Sequence, residues 1–203
     1  MPVHVYTLHK ARSNGHALSA TWLSASKHSP GPTLNVEYQM KTIGVISDTH
    51  GVFSDEFRDF LSPADELWHA GDFGGGIDFV HTISAFKPLV GVYGNCDAQE
   101  IRFECPLVQL FNCEDLKVMM THIGGYPGHY PLNVRAMIDR HRPDIFVCGH
   151  SHILKVMHDK QHDMLYINPG AAGLQGWQVE RTALRFKIEN GKASDMELFR
   201  LPR

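Results

Sequence analysis

Seven side chains able to bind a metal recur at one kind of place in this sequence, just after a short apolar run and within three residues of a glycine. Ile46-Ser47 runs into Asp48-Thr49-His50-Gly51, Leu67-Trp68 into His69-Ala70-Gly71-Asp72, and Val92-Tyr93 into Gly94-Asn95-Cys96-Asp97. Met119-Met120 leads to Thr121-His122, and Phe146-Val147-Cys148 to Gly149-His150-Ser151-His152. Each group alone is weak. With 14 histidines in 203 residues, a His-x-His pair arises about once by chance, and an Asp beside Gly commonly serves a turn. Taken together, Asp48, His50, Asp72, Asn95, His122, His150 and His152 form a mixed oxygen and nitrogen set that suits Mn, Fe or Zn better than Mg or Ca alone. Seven donors exceed what one tetrahedral zinc uses. Two divalent ions sharing a bridging carboxylate is the economical reading.

The donors can act together only if the chain brings five separated segments to one rim. The apolar runs at 41–47, 66–70, 89–93, 117–121 and 145–148 are short and bounded by turn residues, as buried strands are. Helical spacing at 53–61, 77–86 and 133–141 alternates with them, and Asn133 is a competent N-cap for the last of these helices, which stops before Pro143. In open α/β sheets the carboxyl ends of the strands form the edge where ligands bind, so the five polar groups are expected to converge. The tail differs. Segments at 153–158, 164–167, 182–188 and 196–201, separated by Asn168-Pro169-Gly170 and Asn190-Gly191, read as antiparallel strands. A βα first half and a β-rich second half imply an α/β fold with two packed sheets and helices outside.

Composition sets the frame. The chain is 43% hydrophobic, enough for one substantial core, and 19 Lys+Arg against 22 Asp+Glu leave a formal net charge of -3. That balance argues against a nucleic-acid partner held by a basic surface. No apolar run reaches membrane-spanning length and no secretory pattern opens the chain, so a cytoplasmic protein is expected. Cys96, Cys105, Cys113 and Cys148 have no C-x-x-C or disulfide-framework spacing and read as reduced thiols. Residues 1–39 keep neither helical nor strand periodicity and read as a poorly ordered arm, which a start codon upstream of the native one or a weak targeting segment would each explain. The folded domain is expected over 40–203. Nothing in the sequence fixes the oligomeric state, and a homo-oligomer is allowed.

The motif series resembles that of the calcineurin-like metallophosphoesterases: D-x-H, G-D, G-N-[HC]-D, H and G-H-x-H, in that order. Asp48-Thr49-His50, Gly71-Asp72, Gly94-Asn95-Cys96-Asp97, His122 and Gly149-His150-Ser151-His152 match it. Compact size and the Cys in the third motif look most like the small YfcE-like phosphodiesterase subgroup. The resemblance implies a four-layer α/β/β/α sandwich of two mixed sheets flanked by helices. It also implies that Asp48, His50, Asp72 and His152 hold one metal and Asp72, Asn95, His122 and His150 the other, with Asp72 as the bridge. Two divalent ions, Mn2+ first and Ni2+, Fe2+, Zn2+ or Mg2+ as alternatives, would generate a hydroxide nucleophile near neutral pH and clamp the phosphoryl oxygens.

Asn95, Cys96, Asp97 and His122 are the candidates for catalytic roles beyond ligation. Asp97 is expected to orient a neighbour by hydrogen bonding. Cys96 stands where many family members place a His thought to protonate the leaving oxygen. A thiol of ordinary pKa, about 8.5, is a poorer donor to a nascent alkoxide than imidazolium; simple space filling beside the metals is the competing role. His129 and Tyr130, after the glycine-rich stretch at 124–128, could reach substrate. Arg181 and Arg185 read as a solvated sheet face, and His158 and His162 as exposed. The expected activity is metal-dependent hydrolysis of a small or nucleotide-like phosphodiester. A phosphomonoesterase is the alternative, as is a non-catalytic interaction scaffold on the same fold, the role of the small retromer coat subunit.

Overall fold

The computed structural model describes residues 4–8 and 40–203. In chain order the elements are β1 (His4–Leu8), β2 (Lys41–Ile46), α1 (Asp55–Leu61), β3 (Glu66–His69), α2 (Ile77–Phe86), β4 (Leu89–Gly91), α3 (Gln99–Glu104) and β5 (Val108–Cys113). There follow β6 (Leu116–Thr121), α4 (Leu132–His141), β7 (Ile145–Val147), β8 (Lys155–Asp159), β9 (Met164–Asn168), β10 (Glu180–Glu189) and β11 (Lys192–Pro202). They build a six-stranded sheet, ordered β1-β11-β10-β2-β3-β4, and a five-stranded sheet, ordered β5-β6-β7-β9-β8. Both sheets are mixed. β2, β3 and β4 are parallel, as are β6, β7 and β9, while β10–β11 and β8–β9 are antiparallel.

Alternation along the strands explains the four layers. Ile43, Val45 and Trp68 of the first sheet meet Val118, Met120, Ile145 and Val147 of the second in a shared inner core. The opposite faces are covered separately. Ile46 and Leu67 pack with Phe57, Leu61, Ile83 and Ile101 from α1, α2 and α3, whereas Met119 and Phe146 pack with Val134 and Ile138 of α4. A strand buried on both faces reads as a continuous apolar run, which is why β2, β6 and β7 are evident in the sequence.

Three expectations need revision. Within the stretch read as a poorly ordered arm, His4–Leu8 forms β1 and pairs antiparallel with β11, from His4 opposite Arg200 to Leu8 opposite Met196. Residues 1–3 and 9–39, with the rest of that expectation, lie outside the described residues. α4 starts one residue earlier than expected, capped by Pro131, whose φ of -54° leads into Leu132; Asn133 is inside the helix. Finally, β9 belongs to the parallel set through β7 and is antiparallel only to β8.

Candidate metal centre

All five polar groups converge, but on the joined rims of two sheets. Asp48 and His50 follow β2, Asp72 follows β3, Asn95 follows β4, His122 directly follows β6, and His150 and His152 follow β7. Backbone bonds join the loops: Asp48 N–H donates to Gly71 O at 2.9 Å, His50 N–H to Asp72 O at 3.1 Å and Gly149 N–H to His122 O at 3.0 Å. Five of the seven candidate ligands, Asp48, His50, Asp72, His150 and His152, sit at positive φ between 46° and 67°. Left-handed backbone at non-glycine residues is unfavourable, and its concentration here marks a site whose side-chain directions are imposed by the surrounding fold.

Three donor groups have ligand atoms within 4.8 Å of one another: Asp48 with His50 and His152, His50 with Asp72 and Cys96, and Asp72 with His122 and His150. Asp72 thus takes part on both sides of the cluster. His152 Nε2 lies 3.1 Å from Asp48 Oδ1, and His122 Nε2 lies 3.2 Å from Asp72 Oδ2. Asp48, Asp72 and His122 form a buried floor, while Asn95, Cys96 and His150 are exposed at its mouth.

Hydrogen bonds leave selected atoms unspent. Ser47 Oγ donates to Asp48 Oδ2 at 2.6 Å and His150 N–H to the same oxygen at 3.1 Å, so Oδ1 is the oxygen left over. His122 Nδ1–H donates to Ala70 O at 2.7 Å, which fixes the tautomer with a lone pair on Nε2. Asp48 Oδ1, His50 Nε2 and His122 Nε2 are buried without a hydrogen-bond partner. Buried polar atoms are rarely orphaned, and three aimed into one cluster fit a bound cation. Two glycines permit the close approach. A Cβ at Gly94 would collide with the Asp72 carboxylate, and one at Gly149 with Ser47 Oγ and Asp48 Oδ2.

The charges agree with this reading. Burial opposes ionisation of Asp72, but the neighbouring His122 and the backbone N–H of Cys96 outweigh it and hold the carboxyl well below the usual range. Burial likewise opposes protonation of His122, and the facing carboxylates Asp72 and Asp48 raise it regardless. A divalent ion can take the place of that attracted proton.

Among the described residues the Asp97 carboxylate forms no hydrogen bond to a candidate ligand. It accepts Gly94 N–H at 2.8 Å and Gly74 N–H at 3.0 Å, tying together the loops that carry Asn95 and Asp72. Asn95 Nδ2 donates to Cys96 Sγ at 3.2 Å. Burial first, then the neighbouring Asp72, Asp97 and Asp48 carboxylates, push the Cys96 thiol up to about 11. Tyr130 turns away from the cluster to donate to Asp159 at 2.8 Å, and His129 packs on Tyr126. Arg181 is buried, donating to Ala172 O at 2.7 Å above the Phe57 ring, and is not on a solvated face. His162 also turns inward, with Nδ1 2.7 Å from Asp159.

Sequence reasoning missed Ser47 and Asn168. Asn168 Nδ2 donates to Gly149 O at 2.9 Å and to Ser151 Oγ at 3.1 Å, bracketing His150. Its Asn-Pro-Gly context signals only a turn. A hydroxyl immediately before a candidate ligand was the available cue for Ser47.

Layered sheets whose rims carry such a donor set define a metallophosphoesterase architecture. Residues 40–191 match the calcineurin-like phosphoesterase superfamily domain, and the chain belongs to that superfamily. No curated protein matches it at a significant level. Among solved structures, a Thermotoga maritima protein is similar with 23% identity and a TM-score of 0.59 over 78% of this chain and 98% of its own. A protein from Streptococcus pneumoniae TIGR4, described as a predicted phosphoesterase, has 22% identity and a TM-score of 0.53 over 74% and 84%. Vps29 from Entamoeba histolytica complexed with zinc has 17% identity and a TM-score of 0.54 over 79% and 98%. At these identities the likeness is one of fold.

Among the described residues no helix is long and apolar enough to cross a membrane.

Proposed function

We propose that the protein is a cytoplasmic phosphodiesterase that hydrolyses a small or nucleotide-like diester with two divalent ions, of which Mn2+ suits the donor set best. One observation carries the reading: buried, unpartnered ligand atoms of Asp48, His50 and His122 converge with a carboxylate, Asp72, that belongs to donor groups on either side. Asp48, His50, Asp72 and His152 would hold one ion, and Asp72, Asn95, His122 and His150 the other. Bound ions supply an activated water near neutral pH and charge that clamps phosphoryl oxygens.

The remaining chemistry belongs to side chains. Ser47 and the His150 N–H pin one oxygen of Asp48 and thereby aim the other. Ala70 O holds the His122 ring in register. Neutral imidazoles at His122, His150 and His152 bring donor strength without negative charge, so the mouth attracts a phosphate ester. Asp97 fixes the loop that presents Asn95. At Cys96 a thiol occupies the place of an imidazole donor, and this supports diesters with good leaving groups over alkyl monoesters, the second activity of the same site.

The test is a set of aryl phosphodiesters and monoesters assayed with Mn, Ni, Mg and Zn, alongside elemental analysis. About two equivalents of metal, activity abolished by a chelator and preference for diesters are expected. A reconstituted protein that holds no metal would sink the enzyme reading and leave the scaffold role. Reversed preference would make it a phosphomonoesterase.

A further inference from the structure

Two cavities open from the second donor group, one from His122 and one from His150, and share Ile123 and Pro131 in their linings. One, of about 410 Å3, starts at Asn95 and His122 and is walled by Tyr93, Leu107, Val134 and Met137. The other, of about 470 Å3, starts at His150 and Ser151 and is walled by Tyr126, Ile153 and Lys155. Because His122 and His150 have their ligand atoms within 4.8 Å of each other and of Asp72, one phosphorus before them would adjoin both cavities. A diester carries two organic arms. Two cavities of this size, each within the range of small-ligand sites, are what those arms need.

The cavities differ in charge chemistry. In the first the cation at its edge, Arg102, is committed: Nε donates to Asp97 O at 2.8 Å and Nη2 to Asn95 O at 3.2 Å. Apart from Asn95, Thr121, His122 and Asn133, which carry no fixed charge, the remaining walls are aromatic and aliphatic. In the second, Lys155 Nζ stands 4.2 Å over the Tyr126 ring, and among the described residues Lys155 forms no ion pair. A half-buried ammonium held over an aromatic face keeps its donors for an incoming anion.

We propose that the Lys155 cavity is an ester-arm subsite selecting phosphodiesters whose arm ends in an anionic group, a carboxylate or a phosphate, while the Tyr93–Met137 cavity takes the uncharged, ring-bearing arm. This deepens the phosphodiesterase reading and rests on it.

The test uses three p-nitrophenyl phosphodiesters whose second arms have equal length and end in a methyl, a carboxylate or a phosphate. With the metal-loaded full chain, the two anionic arms should lower KM by about fivefold relative to methyl, with kcat little changed, as one partly screened ion pair allows. Lys155→Ala should remove that advantage while leaving the methyl ester unaffected, and Lys155→Arg should retain it. Equal KM for all three esters in the native chain would overturn the proposal. So would an anionic advantage that survives in Lys155→Ala, since the anion would then be bound by the metals. If no ester is cleaved, the phosphodiesterase reading fails by itself; calorimetric titration with the non-hydrolysable phosphonates bearing the same arms still decides the subsite, which requires the same Lys155-dependent preference in affinity.

Discussion

The backbone N–H of Cys96 donates to Oδ1 of Asp72 at 2.7 Å, while Oδ2 of the same carboxylate lies 3.2 Å from His122 Nε2. One oxygen is therefore turned toward the β4 loop and the other toward the end of β6, so a single side chain spans the junction of the two sheets. That placement supports the proposal of Asp72 as the shared ligand. It also means that the loop carrying Asn95 and Cys96 is registered on Asp72 through the main chain, whatever the Cys96 side chain does.

Asp72→Ala should cost both metals, because the carboxylate serves donor groups on either side. His152→Ala should mainly weaken the ion held with Asp48 and His50. Since changing residues that merely orient metal ligands costs ten- to a hundredfold in affinity, loss of the shared ligand should cost about a hundredfold or more. Elemental analysis after reconstitution is the measurement. Two full equivalents retained by the Asp72 variant would contradict the bridge.

Much of this candidate centre was legible because each candidate ligand falls shortly after a strand and within three residues of a glycine, a local signature. The expected rim of one open sheet was in fact two rims, since β2, β3 and β4 lie in one sheet and β6 and β7 in the other. Apolar runs show that a strand is buried on both faces and not which sheet it joins. The elements that escaped notice are α3, β5 and β1. Of these, α3 is only six residues long, and β5 and β1 are edge strands. Leu110 in β5 is 46% exposed, so its pattern lacks the clean alternation of an inner strand. Lys155 was hidden for another reason: a lone lysine opening a strand has no motif, and its significance comes from the cavity beyond His150.

His69 predicts a pH limb. Its ring is fully buried and accounts for both nitrogens: Nδ1 accepts Gly71 N–H at 3.1 Å, and Nε2–H donates to Thr49 Oγ1 at 2.9 Å, which donates to Phe73 O. Burial first, then the charge of His122, push it down to about 3. The unfolded chain takes up this proton near pH 6.5 and the folded chain does not. Stability from the neutral ring is therefore complete above about pH 6.5 and falls by up to about 1.4 kcal/mol per unit as pH drops toward about 3. Denaturant titrations with a chelator present should show that slope reduced in His69→Gln. Identical slopes for the two proteins would refute the buried neutral state.

A chain starting at Met40 should keep its metal centre, because β10 and β11 separate β1 from β2. It should nonetheless lose stability, since removing β1 bares the hydrogen-bonding edge of the eleven-residue β11. For an edge strand worth about 1–2 kcal/mol the melting temperature should fall by roughly 2–8 °C, with self-association rising with concentration. An unchanged melting temperature would show that β1 pairing contributes nothing net.

Cys96 is where this chain departs from a pattern with an imidazole proton donor. Its Sγ lies within 4.8 Å of donor atoms of His50 and Asp72 and accepts a hydrogen bond from Asn95, so it is close enough to the candidate centre for its chemistry to matter. If the thiol donates no proton, aryl diesters, whose leaving groups depart unprotonated, should be cleaved far better than alkyl esters. Cys96→Ala should then lower kcat/KM on an aryl diester by less than tenfold, about 1.4 kcal/mol of transition-state stabilisation. Cys96→His should raise activity on esters with poor leaving groups, because imidazolium supplies the missing acid beside Asn95. Kinetics across a series of leaving groups, with metal content measured for every variant, separates the two roles. A thousandfold loss in Cys96→Ala with both metals still bound would show that the sulfur takes part in the reaction, and the leaving-group argument would fall with it.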